Sequence, residues 1–243
     1  MIISLTPWIA AASIVSMAMA VSAKAQENPA SELLQIGGSL RLRQELKDDF
    51  DFAESAQDYM LTQLRLHATW EIVSGISLFV QAQDARIFGE SATAVPPIDQ
   101  DAVPNVYADS FDLHQAYADL TLPLRWPTRL RLGRQKFNLG AKRLIASLEW
   151  VNTARVWDGA RLTLGAPKAR TVDLIASRLV PVDPGGFNDY DRTRSRLFNS
   201  SFFACYLTDR SLAFGARIEA YVLLRSEGDS EDQVFTLGSR WQK

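Results

Sequence analysis

The sequence contains one cysteine and two histidines in 243 residues, and these scarcities exclude several kinds of site. Cys205 has no second cysteine to pair with, so an intrachain disulfide cannot form. His67 and His114 have no Cys, His or carboxylate at metal-ligand spacing, and the sequence has no G-x-S-x-G, H-E-x-x-H or glycine-rich phosphate loop. We therefore expect no cofactor, no bound metal and no enzyme activity.

Long apolar runs and an excess of one charge are missing as well. No segment after the N-terminus approaches the about 18 apolar residues of a transmembrane helix. The net charge of −2 indicates no nucleic-acid partner. Lysine is also scarce, since all but six of the 26 basic residues are arginine. Arginine suits the bidentate binding of carboxylates, although a compositional bias would explain its abundance equally well.

The N-terminus resembles a secretory signal. Residues 9–21 are apolar apart from two serines, and Ala23-Lys24-Ala25 fits a signal-peptidase cleavage site. Residues 1–8 contain no Lys or Arg, which departs from the usual pattern. We predict a signal peptide over residues 1–25 and a single mature domain over residues 26–243.

The mature chain is dominated by alternation of apolar and polar residues. In residues 60–72, for example, Leu64 and Leu66 alternate with Gln63 and Arg65. Because successive side chains of a strand point to opposite faces, this period predicts strands with one aliphatic and one polar face. About ten strands are predicted: residues 36–46, 60–72, 76–83, 112–122, 129–135, 156–164, 171–179, 200–208, 212–224 and 234–241.

Strand length and loop order decide whether the aliphatic face is buried in a protein core or lies against membrane lipid. Most predicted strands have roughly 9–13 residues, whereas strands of soluble proteins average about 5–6 and membrane-spanning strands need about 9–11. Tight turns alternate with long loops at residues 47–58, 88–110, 136–150 and 181–196. This asymmetry is typical of outer-membrane barrels, with long loops outside. We predict an all-β, antiparallel, up-and-down transmembrane β-barrel, possibly an incomplete larger one. A secreted β-sheet polysaccharide lyase or carbohydrate-binding protein is the alternative, disfavoured by strand length.

Residues 112–164 carry a series of short motifs in a fixed order. They are Gly133-Arg134-Gln135, Arg143-Leu144, Trp150-Val151-Asn152 and a run from Arg155 through Asp158-Gly159 to Arg161. Together with residues 112–117 and 41–43, this series resembles the signature of the alginate export family of outer-membrane β-barrels. The likeness extends from about Gly37 to the end of the chain.

The resemblance implies a porin-like channel in the outer membrane of a Gram-negative bacterium, which exports an anionic polysaccharide or passes a related anionic solute passively. Its partners would be outer-membrane lipid, the solute and the barrel assembly machinery. Full members of the family form barrels with more strands than are counted here. The last residues, Trp241-Gln242-Lys243, lack the terminal aromatic residue of a closing strand. We therefore expect a truncated or partial member.

If the polar face lines a lumen, its arginines are candidates for the solute pathway. These are Arg41, Arg43, Arg65, Arg129, Arg131, Arg155, Arg161 and Arg217. Charged rings give selective pores their preference for one sign of ion. Inward-facing Glu45, Glu71, Asp119, Asp173 and Glu219 could instead pair with these arginines and leave a merely neutralised lumen.

Two further groups of residues remain open at this point. Acidic loops at residues 48–58 and 183–191 could bind Ca²⁺, although a solvated loop is the simpler interpretation. Trp70, Trp126, Trp150 and Trp157 suit either an interfacial aromatic belt or ordinary packing.

Overall fold

The fold is a single antiparallel β-sheet in a computed structural model. The structure describes residues 15–21, 33–48, 56–89, 106–183, 186–188, 190, 200–212, 215–227 and 232–243. Its strands are β1 (Val15–Val21), β2 (Leu34–Asp48), β3 (Ala56–Val73), β4 (Ile76–Phe88), β5 (Asp109–Leu122), β6 (Thr128–Gln135), β7 (Trp157–Gly165), β8 (Arg170–Leu179), β9 (Ser200–Asp209), β10 (Arg217–Glu227) and β11 (Gln233–Gln242).

Each strand pairs with its neighbours in the sequence. The order is β1 through β11 without a crossover, which confirms the predicted up-and-down topology. Among the described strands, β1 and β11 do not pair with each other, so the sheet is open, as in an incomplete barrel. A jelly roll or sandwich would divide its strands between two sheets. The described strands form one sheet, and the sandwich alternative is therefore wrong for this part of the chain.

The predicted strands are confirmed, with corrections at their ends. The pairs Lys47↔Gln57 and Asp48↔Ala56 extend the β2–β3 ladder into the region predicted as a loop, because backbone pairing does not require alternating side chains. The strand predicted from residue 212 begins only at Arg217. The Asp209 carboxylate accepts hydrogen bonds from the backbone N–H and hydroxyl of Ser211, and this turn delays the next strand.

One further strand, β1, falls within the predicted signal peptide. Residues 15–21 pair with β2 from Val15↔Gln44 to Val21↔Gly38. This pairing does not test whether export removes residues 1–25, which stays a prediction. No helix among the described residues is long and apolar enough to cross a membrane.

The two faces of the sheet differ as the alternation predicts. Their exposure shows which face is the outer one and which is covered. Along β3, Leu64 and Leu66 are exposed, whereas Gln63 and Arg65 are buried. Large apolar side chains are exposed on the same face, which we call the outer face, in strands across the sheet: Ile36, Leu40, Leu42, Leu132, Leu174, Phe203, Val222 and Leu237. The polar face is the covered one, and we call it the inner face.

The inner face is covered by the connection between β6 and β7, residues 136–156, which we call the inner segment. Its Phe137 and Leu139 pack with Phe202 of β9 and Leu223 of β10. Its backbone at residues 149–152 is hydrogen-bonded to β2 and β3 on the other side. The sheet therefore curls around this segment. The prediction of an outward loop at residues 136–150 is wrong, because the loop contains apolar and backbone groups that the inner face binds.

The inner segment has an unusual backbone. Lys142, Leu148 and Ala154 adopt left-handed conformations with φ of 60°, 51° and 61°. Such conformations cost L-residues about 1–2 kcal/mol each, and they persist only when surrounding contacts compensate. The contacts that hold the segment must therefore be substantial.

Candidate functional site

The predicted pathway arginines lie together on the concave side of the sheet. Seven belong to strands at positions on the inner face, and Arg155 belongs to the inner segment. They divide into three groups according to what their side chains contact: the inner segment, a neighbouring carboxylate, or no ion-pair partner among the described residues.

Three arginines of β2 and β3 bind the inner segment. Arg41 donates hydrogen bonds to the carbonyl oxygens of Glu149 (2.8 Å) and Val151 (2.9 Å). Arg43 donates to the Trp150 carbonyl at 2.6 Å and pairs with Glu45 at 2.7 Å. Three successive carbonyls are thus satisfied by two guanidinium groups. Arg65 reaches the side chain of Glu149 at 2.8 Å.

Asn152 is the most connected residue of this contact. It is 1% exposed, and its amide Nδ2 donates to the carbonyl oxygens of Thr62, Arg86 and Tyr107. In return Gln63 donates to the Asn152 carbonyl, and Gln83 donates to the Thr153 carbonyl at 2.9 Å. These directional bonds fix the register of the inner segment against β3 and β4.

Glu149 is the charged centre of the same region. Its carboxylate pairs with Arg65 at 2.8 Å and with Lys136 at 2.7 Å. Burial by itself raises the pKa of Glu149, but the charges of Arg65 and Lys136 and their hydrogen bonds outweigh it and lower the pKa to about 2. The carboxylate therefore stays ionised.

The other half of the inner segment makes apolar contacts. Phe137 is fully buried and its ring lies 5.4 Å from that of Trp157, centroid to centroid. Around them lie Leu139, Ile175, Phe202, Ala204, Tyr206 and Leu223. Trp157 therefore belongs to this packed cluster and not to an interfacial belt.

Arg131, Arg161 and Arg217 are paired with carboxylates on the inner face. Arg131 contacts Asp119 through Nε at 2.8 Å and Nη2 at 2.6 Å, and Arg161 contacts Asp173 through the same two atoms at 2.9 Å. Arg217 pairs with Glu219 at 2.5 Å. The neutralised-lumen alternative thus describes these pairs, as it does Arg43 with Glu45.

The pairing of Arg131 and Arg161 nevertheless leaves donors available. The two residues lie directly opposite each other on β6 and β7. Each uses Nε and Nη2 for its carboxylate, and within the described chain no protein acceptor contacts Nη1 of either guanidinium. The carboxylates hold two adjacent guanidinium groups in place with a donor free on each.

Arg129 and Arg155 form the third group. Both are exposed, and neither side chain makes an ion pair within the part of the chain that the structure describes. The partial loss of water around its guanidinium lowers the pKa of Arg155. Arg143, on the inner segment, is exposed as well.

The motif residues at the ends of β6 and β7 join these two strands on both faces. Arg134 binds the carboxylate of Asp158 through Nε at 2.9 Å and Nη2 at 3.0 Å. On the opposite face Gln135, fully buried, donates to the carbonyls of Gly133 (3.3 Å) and Gly159 (3.1 Å). The motif therefore acts as a two-sided clasp.

The two glycines of the clasp are required by close approach. Gly133 has φ of +122°, and a Cβ there would collide with the carbonyl oxygen of Ala116. A Cβ on Gly159 would collide with the carbonyl oxygen of Ala176. Any larger residue would separate β6 from β5, or β7 from β8.

Asn188 and Tyr190 add further contacts to this clasp. The Tyr190 hydroxyl donates to Asp158 at 2.9 Å, and the Asn188 backbone N–H donates to Asp112 at 2.6 Å. The described residues contain no group of three or more His, Cys, Asp or Glu that could hold a metal ion. Asp49, Asp51, Glu54, Asp189 and Asp191, named as possible Ca²⁺ ligands, lie outside the described residues.

Exposed aromatic residues lie toward both ends of the sheet. Trp70, Trp126 and Trp241 are exposed at the end with the tight turns. Phe88, Phe111 and Phe235 are exposed at the end with the long connections. Trp150 is also exposed, but it lies on the inner segment, so it cannot belong to an outer belt.

Sequence reasoning missed Gln63, Gln83 and Glu149, which bind or belong to the inner segment. Gln63 and Gln83 could have been found from their positions on the polar face, because amides there need partners. The position of Glu149 could not, since its partner Arg65 is 84 residues away in the sequence.

The comparisons with known proteins agree with this geometry. A family model described as alginate export matches residues 32–233, which include all the strands from β2 to β10. No curated protein matches the chain, and no solved structure does.

Proposed function

This chain belongs to the alginate export family, and we propose that it forms a wall of an outer-membrane channel through which an anionic polysaccharide, or a related anionic solute, passes passively. The alginate export family is a family of exporters and not of enzymes. The passive mechanism, the anionic solute and the porin-like pathway are the additional content of the proposal.

The observation that carries the proposal is the reversed burial of the sheet. A water-soluble sheet buries its aliphatic face, but here Leu66 and Leu174 are exposed while Gln63 and Arg65 are buried. A transmembrane barrel has this arrangement, with lipid outside and a polar lumen inside. Ten residues of β3 separate Trp70 from Met60, the partner of Phe88. At about 3.3 Å per residue and a tilt of about 40°, they span about 25 Å, the height of the apolar band.

The negative charge of the proposed solute follows from the cationic groups that have no carboxylate partner or keep a free donor. Arg129 is exposed without an ion pair among the described residues, and Arg131 and Arg161 keep Nη1 available. Several such weak contacts attract an anion without trapping it, which passage through a channel requires. Arg41, Arg43 and Arg65 hold the inner segment, which narrows the space inside the sheet.

The cellular context forms part of the same proposal. Residues 1–25 would direct export and be cleaved, and the barrel assembly machinery of a Gram-negative bacterium would insert the strands into outer-membrane lipid. Expression of the full chain followed by membrane fractionation tests this directly. We expect the protein in the outer-membrane fraction, and a soluble periplasmic product would overturn the proposal.

The anionic pathway is tested by charge reversal in planar-bilayer recordings. We expect Arg129→Glu combined with Arg131→Glu to lower the anion-to-cation permeability ratio several-fold, because both positions face inward. Arg129→Glu alone is informative if the double variant misfolds, since Arg129 makes no ion pair in the described chain. Arg125→Glu, in the exposed β5–β6 turn, is the matched control. Selectivity unchanged in both inward variants would favour a neutralised lumen.

A further inference from the structure

Trp150 of the inner segment is fixed in place and yet exposed. The carbonyls of residues 149, 150 and 151 all accept hydrogen bonds from Arg41 or Arg43. Asn152, two residues after Trp150, is 1% exposed, whereas Trp150 is 60% exposed. The backbone therefore holds an indole at the surface of the segment, where burial contributes little to stability.

One face of this indole is already covered. The guanidinium carbon of Arg43 lies 4.7 Å from the centre of the ring. Arg43 is itself 4% exposed and is held by Glu45 at 2.7 Å, so it fixes the tilt of the ring as well as its position. Trp150 is nevertheless 60% exposed, so the described residues leave most of the indole uncovered on the inner segment.

An open, immobilised aromatic face inside a channel has a specific chemical complement. The face of an aromatic ring carries partial negative charge. A pyranose ring presents several polarised C–H bonds on one side, and these stack on such a face whether or not the sugar bears a carboxylate. A pyranose ring that stacks on Trp150 would therefore release water from its C–H side and from the indole together.

We propose that Trp150 is a stacking platform for the pyranose rings of a polysaccharide as it passes the inner segment. The proposal rests on the proposed function for the class of solute, and it adds a contact that depends on the shape of the sugar ring and not on its charge. Arginines on the inner face attract the polysaccharide, and Trp150 retains its individual sugar units.

The first test compares current block by a neutral and an acidic oligosaccharide of equal length in planar bilayers. We expect Trp150→Ala to shorten the block time of both by about five- to tenfold, as for the loss of one aromatic contact. Trp150→Phe should retain most of the block time, because it keeps an aromatic face. Trp126→Ala, which removes an equally exposed indole from the β5–β6 turn, should leave the block time unchanged.

Small-ion selectivity separates this platform from the arginine pathway. Trp150→Ala should leave the chloride-to-potassium permeability ratio as in the unchanged protein. Block times that are the same in Trp150→Ala and the unchanged protein would overturn the proposal. A loss confined to the acidic oligosaccharide would also overturn it, since that result would assign the contact to charge.

A second test does not need a conducting channel. Adding the neutral oligosaccharide to the full chain in detergent micelles should shift the tryptophan emission to shorter wavelength. Trp126→Phe should retain the shift and Trp150→Phe should abolish it. A shift without any conductance would mean that the channel proposal fails and the platform stands. Anion-selective conductance without a shift would mean that the channel proposal stands and the platform proposal fails.

Discussion

The inner face of the sheet has two walls that hold the same segment by different physical means. On β2 to β4, the polar wall, Arg41, Arg43 and Gln63 donate to backbone carbonyls of the inner segment. On β7 to β10, the apolar wall, Phe202 and Leu223 pack against its Phe137 and Leu139. Hydrogen bonds are directional and set one register. The free energy gained from apolar contacts depends on the buried area, so these contacts tolerate small shifts.

This difference shows how a largely polar inner face can hold an ordered segment. The net value of one hydrogen bond is only about 0.5–1.5 kcal/mol, because unfolding returns both groups to water. A buried phenyl ring contributes more to stability but specifies less about position. Each apolar contact therefore contributes more to stability than each hydrogen bond, whereas the polar wall fixes the position of the inner segment.

The largest expected effect comes from breaking the apolar wall. Phe137→Ala removes a fully buried ring from the cluster, and we expect a loss of about 3–5 kcal/mol in the free energy of unfolding. Urea unfolding of the protein folded in detergent micelles or liposomes measures it. Leu144→Ala, at an exposed position of the same segment, should change stability by less than about 0.5 kcal/mol. Equal losses in the two variants would contradict the division into two walls.

A smaller effect is expected from the polar wall. Asn152→Ala leaves the carbonyls of Thr62, Arg86 and Tyr107 without the Asn152 donor, and we expect a loss of about 2–3 kcal/mol. Hydrogen exchange should then quicken at residues 149–153 while residues 137–139 stay protected. Asn138→Ala, which removes contacts with Ser147 alone, is the weaker control. Uniform quickening along the whole segment would show that the two walls act as one unit.

The smallest effect is a pH dependence confined to the polar wall. The folded pKa of Glu149 is about 2, lowered from 4.5, so its ion pairs contribute stability that is fully present above about pH 4.5 and is lost as the pH falls toward 2. Because Trp150 is adjacent, its fluorescence should change over that range. Glu149→Gln cannot titrate and should show no such transition. A transition of equal size in Glu149→Gln would assign the titration to another group.

Much of the sheet could be predicted from alternation alone. A period of two assigns Leu64 and Leu66 to one face and Gln63 and Arg65 to the other without knowledge of any partner strand, and the consecutive order then follows from short turns. Which face is exposed was decided correctly from strand length and loop order. These features are local, and local patterns survive in a sequence.

The inner segment could not be predicted in the same way. Arg41 contacts the Glu149 carbonyl over a separation of 108 residues, and no periodicity in residues 136–156 records that contact. The apolar Phe137, Leu139 and Ile145 were the available signal that this connection is not a solvated loop. The clasp was likewise visible only as a motif, because the two-sided role of Arg134 and Gln135 depends on which strand faces them.

The two-sided character of β6 has a consequence for insertions and deletions. Its residues alternate between Arg129 and Arg131 on the inner face and Leu130 and Leu132 on the outer face. Removing one residue before Arg134 would move the guanidinium groups to the outer face and the leucines to the inner face, and it would separate Gln135 from the carbonyls it binds. A substitution within this strand changes the contacts of one side chain, whereas a single-residue deletion moves the side chains on one side of the deletion to the opposite face of the sheet.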